Sequence, residues 1–139
     1  MRIVVADQDD SFLGKFQLYL RARGHEVAMT DDGLSCLNAL RKFVPDVLAI
    51  SSNLLWGGSE GVLSVMYEDG NLHDMPVLLL QDLGGGHRLR RHPMVVSAAR
   101  RPYRFDDLAS QCEFLSILGK EGRSPREPIS IVDSALWSA

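Results

Sequence analysis

The chain has 139 residues, of which 45% are apolar and 24% are charged, and its formal net charge at pH 7 is −3. These values are typical of one globular domain and exclude a wholly disordered chain, and no apolar run approaches the roughly 18–20 residues of a transmembrane helix. Cys36 and Cys112 lie far apart with no paired spacing, which argues against a disulfide framework or a zinc site. Such cysteine usage predicts a reducing, cytoplasmic location.

Five short apolar runs predict five strands. In chain order they span residues 3–6, 25–29, 47–50, 76–80 and 94–98. The near-continuous apolarity of 47–50 indicates burial on both faces, as in a parallel sheet that helices cover on each side.

Amphipathic segments between these runs predict the first two helices. Asp10 is the predicted cap of the first helix and Gly24 its predicted end. Its apolar face carries Phe12, Leu13, Phe16 and Leu20. Thr30 or Asp31 is the predicted cap of the second helix, whose apolar face carries Leu34, Leu37 and Leu40.

The later helices are less regular. A short third helix is predicted over 61–67, and a last helix over about 105–118 presents Leu108, Cys112, Leu115 and Leu118 on one face. Between the fourth and fifth strands, the glycines at 84–86 oppose helix formation and Pro93 closes the segment. The fourth helix is therefore predicted to be short or missing.

The alternation of strands and helices predicts an α/β fold with a doubly wound parallel sheet and helices on both faces. In such a sheet the functional loops follow the carboxyl ends of the strands. The predicted domain covers residues 1–119, and 120–128 read as a linker rich in proline and charge. Residues 129–139 are again rich in apolar side chains. They are interpreted either as a docking segment or as a plain chain end.

The order of these elements and the residues at the strand ends resemble the receiver domain of bacterial two-component response regulators. The resemblance covers residues 1–119. It is carried by RIVVAD at 2–7, Gly33, PDVLAI at 45–50, PVLLL at 76–80, RPY at 101–103 and Asp107-Leu108. It implies a flavodoxin-like five-stranded sheet in the order 2-1-3-4-5.

The resemblance also implies a phosphorylation pocket, but this sequence departs from it at almost every position. The phosphoacceptor aspartate falls on Ser51, and the paired acids after the first strand fall on Asp7 and Gln8. If the loop is shifted, Asp9 is the alternative second acid. The conserved hydroxyl falls on Gln81, the aromatic residue on Ala98 and the lysine on Arg101. Because serine is a poor unassisted nucleophile and Mg²⁺ prefers carboxylates, we expect a degenerate pocket with no metal, no cofactor and no enzymatic activity.

Arg101 suggests what replaces the lost chemistry. Its long, forked guanidinium is expected to reach Asp7 and close the pocket with an internal ion pair. A plain surface arginine is the alternative. The resemblance further implies a cis peptide bond before Pro102.

A second candidate site is the arginine run at 87–104, which contains six arginines and no acid. In receivers this region belongs to the usual partner-binding face, and arginine and tyrosine are favoured interface residues. The predicted partner-binding residues are Arg88, Arg90, Arg91, Arg100, Tyr103 and Arg104, together with Trp56 beside the acceptor position. A merely solvated charged face also remains open.

The sequence therefore predicts a phosphorylation-independent, receiver-like interaction module of a bacterial signalling pathway. Its expected partner is a protein with an acidic surface, another domain of a longer chain, or a second copy in a homodimer. The alternatives are an atypical phospho-accepting regulator, a nucleotide binder of flavodoxin type, which the acids at 7–10 disfavour, and nucleic-acid binding through the arginine run. No membrane partner is expected.

Overall fold

The computed structural model describes residues 1–54, 58–82 and 88–120, with the side chain of Lys120 left out. Its strands are β1 (Arg2–Ala6), β2 (Glu26–Thr30), β3 (Val47–Ser51), β4 (Val77–Gln81) and β5 (Val95–Arg100). All pairings are parallel, and the order across the sheet is β2-β1-β3-β4-β5. This confirms the predicted five-stranded sheet and its order.

The helices are α1 (Asp10–Ala22), α2 (Gly33–Phe43), α3 (Gly58–Glu68) and α4 (Phe105–Lys120). Between β4 and β5, the described residues form a single 3-10 turn, Leu89–Arg91. The prediction of a short or missing fourth helix is thus confirmed. None of the helices described is both long and apolar enough to cross a membrane.

Two hydrophobic layers hold the helices to the sheet. On one face α1 and α4 contribute Phe16, Leu20 and Cys112 to a buried cluster. On the other face α2 and α3 contribute Cys36, Leu40 and Leu63. Every residue of β3 and β4 is buried, as the near-continuous apolarity of these segments predicts for strands covered on both sides.

The starts of the first two helices differ from prediction. The cap of α1 is Asp9, whose side chain accepts from the N–H of Phe12, so the helix begins at Asp10. The cap of α2 is Asp32, which accepts from the N–H of Ser35. In both cases the chain enters the helix at a neighbouring aspartate, because several acids in a row offer equivalent caps.

The buried face of α2 also differs from prediction. Leu34 is 69% exposed, whereas Cys36 and Leu40 are buried. Leu34 occupies the first turn of the helix on the side that faces away from the sheet. The end of α1 is as predicted, since Gly24 adopts a φ of 90° directly after the cap residue.

Other boundaries shift by a few residues. The helix α3 starts at Gly58 rather than Gly61, and β5 runs to Arg100 rather than Ala98. Lys120 still belongs to α4, one residue into the predicted linker. The rest of that linker, the tail at 129–139, the glycines at 84–86 and Trp56 lie outside the described residues.

Candidate functional site

The carboxyl edge of the sheet brings together four of the five predicted pocket residues. Asp7 follows β1, Ser51 ends β3, Gln81 ends β4 and Arg101 follows β5. Asp7, Ser51 and Gln81 are each no more than 2% exposed. This placement follows from parallel pairing, which aligns the ends of all strands at one edge.

Gln8 does not belong to the pocket. It is exposed, because the chain has already left the sheet there and turns towards α1. The second acid of this segment is instead Asp9, which combines its role as the cap of α1 with a contact to Arg101. Of the two candidates to accompany Asp7, the structure brings Asp9 to Arg101 and leaves Gln8 exposed.

The guanidinium of Arg101 is the centre of the site. Its Nη2 lies 3.5 Å from Oδ2 of Asp7, its Nη1 lies 3.5 Å from Oδ2 of Asp9, and its Nε lies 2.7 Å from Oδ1 of Asp82. The predicted contact between Arg101 and Asp7 is present. One cation thus links the ends of three strands and the start of α1.

Two aromatic rings enclose the same guanidinium. The Cζ atom of Arg101 lies 5.7 Å from the ring centroid of Phe12 and 5.3 Å from that of Tyr103. The hydroxyl of Tyr103 donates to the carbonyl of Gln81 at 3.3 Å. Cation–π contacts are strongest where water is excluded, so these rings favour the inward position of the arginine.

The peptide bond between Arg101 and Pro102 is cis, as the resemblance implies. The N–H of Arg101 donates to the carbonyl of Gln81 at 3.1 Å, which continues the pairing of β5 with β4 beyond the last strand residue. The side chain of Arg101 therefore starts from a backbone position that the sheet fixes.

The electrostatics of the cluster are unbalanced. Three carboxylates around one guanidinium give a formal charge of −2. Burial raises the pKa of Asp7 above its usual value, although the N–H of Asp9 and the guanidinium of Arg101 oppose this shift. The pKa of Asp9 is lowered, chiefly because the backbone N–H of Phe12 stabilises the charged form.

Ser51 is engaged in local hydrogen bonds. Its Oγ accepts from the N–H of Asn53 at 3.2 Å, and its carbonyl accepts from the hydroxyl of Ser59. The side-chain amide of Asn53 donates to Asp82, which connects this loop to the arginine cluster. These contacts connect Asn53 and the start of α3 to the end of β3, where the side chain carries a hydroxyl and not a carboxylate.

A metal-binding arrangement is absent from the described residues. No group of three or more histidine, cysteine, aspartate or glutamate side chains within 1–54, 58–82 and 88–120 has a geometry that could hold a metal ion. The three acids at the pocket, Asp7, Asp9 and Asp82, each contact Arg101.

Sequence reasoning missed Asp82 and left Asp9 as the alternative to Gln8. Asp82 is one residue beyond Gln81, and the sequence offered one usable signal for it: it is an acid at the carboxyl end of a predicted buried strand. Asp9 was visible as one of several acids in a row, but its orientation depends on which of them caps α1.

The arginine run is divided between two roles. Arg101 turns into the pocket, whereas Arg88, Arg90, Arg91, Arg100 and Arg104 are exposed. Nη2 of Arg88 lies 2.6 Å from Oε2 of Glu60, and Nη2 of Arg104 lies 3.3 Å from Oδ2 of Asp106. Arg90, Arg91 and Arg100 have no ion-pair partner within the described part of the chain.

Tyr103 does not lie on the exposed surface as a free interface residue. Its side chain is half-buried, and its ring contacts Phe12 with centroids 5.6 Å apart. Burial raises the pKa of Tyr103 to about 12, so its hydroxyl stays neutral and acts as a hydrogen-bond donor.

Comparison with known proteins gives matches at the level of structure. No family model matches the sequence, and no curated protein matches it. A response regulator receiver domain from Clostridium thermocellum superposes with a TM-score of 0.77 at 17% identity, covering 88% of this chain and 98% of that one. The Francisella response regulator 1452 receiver domain gives a TM-score of 0.74 at 17% identity, with the same coverage of 88% and 98%.

This chain has the receiver fold. NtrX from Brucella abortus shares it, with a TM-score of 0.75 and 20% identity over 88% of this chain. There the match covers only 28% of the other chain, so the receiver fold forms one part of that longer protein. At such identities the likeness shows the fold and not the function.

Proposed function

We propose that this chain is a receiver-like regulatory module that binds a protein partner without being phosphorylated. The observation that carries the proposal is the position of Arg101, whose guanidinium contacts Asp7, Asp9 and Asp82 at the edge where a receiver would gather a cation. The permanent charge of arginine takes over the task of an exchangeable ion, because its pKa keeps it protonated throughout the physiological range.

The acceptor position supports the same proposal. Ser51 is buried, its hydroxyl accepts from the N–H of Asn53, and its carbonyl accepts from the hydroxyl of Ser59 in α3. A serine hydroxyl needs an adjacent base to attack phosphorus. Phosphoserine at this position would also add a dianion to a pocket whose three carboxylates already exceed the single positive charge of Arg101. Phosphorylation of this pocket is therefore opposed both by reactivity and by electrostatics.

The partner is a protein with an acidic surface, which belongs either to another domain of a longer chain or to a separate regulator. Arg90, Arg91 and Arg100 support this proposal because they are exposed and lack an ion-pair partner among the residues described. Exposed charges of one sign steer an oppositely charged partner and fix its orientation. The module carries its signal through this surface and performs no chemistry of its own.

The first test is attempted phosphorylation. The chain is incubated with Mg²⁺ and acetyl phosphate, or with Mg²⁺ and beryllofluoride, and followed by intact-protein mass and tryptophan fluorescence, with an active receiver treated in parallel. We expect no adduct and no fluorescence change. A stoichiometric phospho-adduct would overturn the proposal in favour of an atypical phospho-accepting regulator.

The second test concerns the surface. The double variant Arg90→Glu/Arg91→Glu is compared in a pull-down with Lys15→Glu/Lys42→Glu. The second variant makes the same charge change at two exposed lysines elsewhere on the surface. We expect the arginine variant to lose the partner and the lysine variant to keep it. Equal retention by both variants contradicts a role for the arginines.

A further inference from the structure

The outer edge of β5 offers backbone hydrogen-bonding groups to a partner. β5 is the last strand of the sheet and pairs only with β4. Arg101 N–H donates to Gln81, so the residues that face β4 alternate back along the strand from Arg101. Ala98 and Arg100 therefore point their N–H and C=O groups away from the sheet, and neither has a hydrogen bond to another described residue.

The side chains along this strand are small. Ser97, Ala98 and Ala99 occupy its middle, and all three are only partly buried. Small side chains on an edge strand let a second backbone approach closely, whereas bulky or charged ones prevent it. Among the described residues between β4 and β5, the only helical element is the 3-10 turn Leu89–Arg91.

A cavity lies beside the exposed end of this strand. Its volume is about 210 Å³, and its lining includes Ala99, Arg100, Tyr103, Arg104 and Gln111. The Oε1 atom of Gln111 is buried and has no hydrogen-bond partner within the described residues. A primary amide both donates and accepts, so this side chain can bind either a carboxylate or an N–H group that enters the cavity.

The charges around the strand select an acidic occupant. The turn that carries Arg90 and Arg91 packs against β5, and Arg100 ends the strand. These three arginines have no ion-pair partner in the described ranges. Arg104 contributes less, because Asp106 and Asp107 already face it, and Asp107 also lines the cavity.

We propose that β5 binds an extended, acidic segment of a partner protein as a sixth strand. The backbone of that segment pairs with Ala98 and Arg100, its carboxylates face Arg90, Arg91 and Arg100, and one of its side chains enters the cavity beside Gln111. Such strand addition draws its affinity from main-chain hydrogen bonds and its specificity from alternate side chains. This inference rests on the proposed function and specifies how the partner is held.

The test uses the full ¹⁵N-labelled chain and a blocked peptide of alternating glutamate and valine, with alternating lysine and valine as the control peptide. We expect saturable amide shifts at Ala98 and Arg100 and slower hydrogen exchange of both amides when the acidic peptide is bound. Absence of these changes overturns the proposal. The proposal is also overturned if duplex DNA shifts the NMR signals of the arginines and the acidic peptide does not.

Variants separate backbone pairing from simple charge attraction. Arg100→Glu should weaken peptide binding at least about ten-fold, whereas Lys15→Glu, with the same charge change, should not. Ala98→Pro removes one outward N–H without removing a hydrogen bond to β4, and should weaken binding similarly, while Ala98→Ser retains it. Full binding by a folded Ala98→Pro variant overturns strand addition. If that variant does not fold, the test is the hydrogen exchange of the Ala98 and Arg100 amides in the wild-type protein with the peptide bound.

The outcome is independent of the test of the proposed function. A failure of peptide binding removes strand addition but leaves the acetyl phosphate result unchanged. A phospho-adduct overturns phosphorylation independence even if the peptide binds at β5.

Discussion

Arg101 Nε lies 2.7 Å from Oδ1 of Asp82, which ties the loop after β5 to the end of β4. Asp82 also accepts from the side chain of Asn53, so the loop after β3 joins the same chain of contacts. The segments that would have to separate in a switching pocket are thus connected through one guanidinium. Because of this connection, a substitution of Arg101 should alter the contacts of all these segments along the carboxyl edge of the sheet.

Replacing Arg101 by methionine should destabilise the protein. Methionine retains the packing against Phe12 and Tyr103 but leaves three carboxylates without their cation. Loss of one partner of a buried pair is strongly unfavourable, but the side chain of Arg101 is 30% exposed, so we expect a loss of about 2 kcal/mol. Urea unfolding at pH 7 measures this, with Arg90→Met as the control that removes an exposed arginine. A loss no larger than that of the control contradicts a structural role for the cluster.

Asp7→Asn should change how stability depends on pH. The raised pKa of Asp7 means that the folded state holds this proton more tightly than the unfolded state. Wild-type stability therefore falls as the pH rises from the unfolded value of 3.8 through the raised pKa, and the variant lacks this contribution. Asparagine keeps an acceptor for the N–H of Asp9.

We expect the stability of Asp7→Asn relative to wild type to increase with pH across that window and then to level off. Urea unfolding of both proteins at several pH values from 4 to 7 measures the difference, in which the titrations of other groups cancel. A difference that stays constant over the whole range contradicts the raised pKa.

Glu113→Gln should show the opposite dependence. Oε1 of Glu113 lies 2.6 Å from Nη2 of Arg23, and Oε2 lies 2.7 Å from Nε2 of His25. The hydrogen bond from Arg23 is the main cause that lowers the pKa of Glu113 below its usual 4.5. The ionised carboxylate therefore stabilises the fold above pH 4.5, and this stability is lost as the pH falls through the lowered pKa.

We expect Glu113→Gln to cost about 1 kcal/mol at pH 7, because both partners are about one-third exposed, and to cost nothing once the wild-type carboxylate is protonated. Thermal unfolding at a series of pH values checks this. The control is Glu68→Gln, because Glu68 is exposed and has no ion pair to a described residue. This substitution should leave the thermal stability unchanged at every pH.

The sheet could be predicted from the sequence because its signal is repeated. Short β-branched runs such as Ile3-Val4-Val5 and the buried run of β3 occur at intervals that only a parallel α/β sheet accommodates. Helix starts were less certain because Asp9 and Asp10, or Asp31 and Asp32, are equally good caps by residue type. Only the path of the chain between strand and helix chooses between them.

The pocket could be predicted only in part. The contact between Asp7 and Arg101 follows from two strand ends, which parallel pairing places together. The contact between Arg101 and Asp82 depends on the direction in which a side chain leaves a loop, and sequence spacing does not determine that direction. The choice between Gln8 and Asp9 depends on the same kind of detail, since Asp7 directly after β1 is buried in the pocket and the next residue, Gln8, is exposed.

Restoring an acid at the acceptor position should restore cation binding when Arg101 is also removed. In Ser51→Asp alone, the new carboxylate adds to the three acids around Arg101, and the guanidinium still occupies the place that a divalent ion would need. In Ser51→Asp/Arg101→Met, the carboxylates of residues 7 and 51 and of Asp82 lack an internal cation, which favours a divalent ion. We expect millimolar Mg²⁺ to raise the melting temperature of the double variant but not of the wild type or of either single variant.

Calcium and sodium at matched ionic strength are the controls for that measurement. An equal response of the wild type to Mg²⁺ would show that the pocket already accepts the ion, against the role assigned to Arg101. No response of the double variant would show that the cluster lacks the required geometry even without the arginine.

Each hydrophobic layer contains one cysteine, Cys112 under α1 and α4 and Cys36 under α2 and α3. Both are fully buried, and burial raises the pKa of each thiol to about 12, so neither reacts while its layer is closed. The two thiols are natural reporters of breathing motions on opposite sides of the sheet. Their separate labelling rates can reveal whether one side loosens before the other when a partner binds.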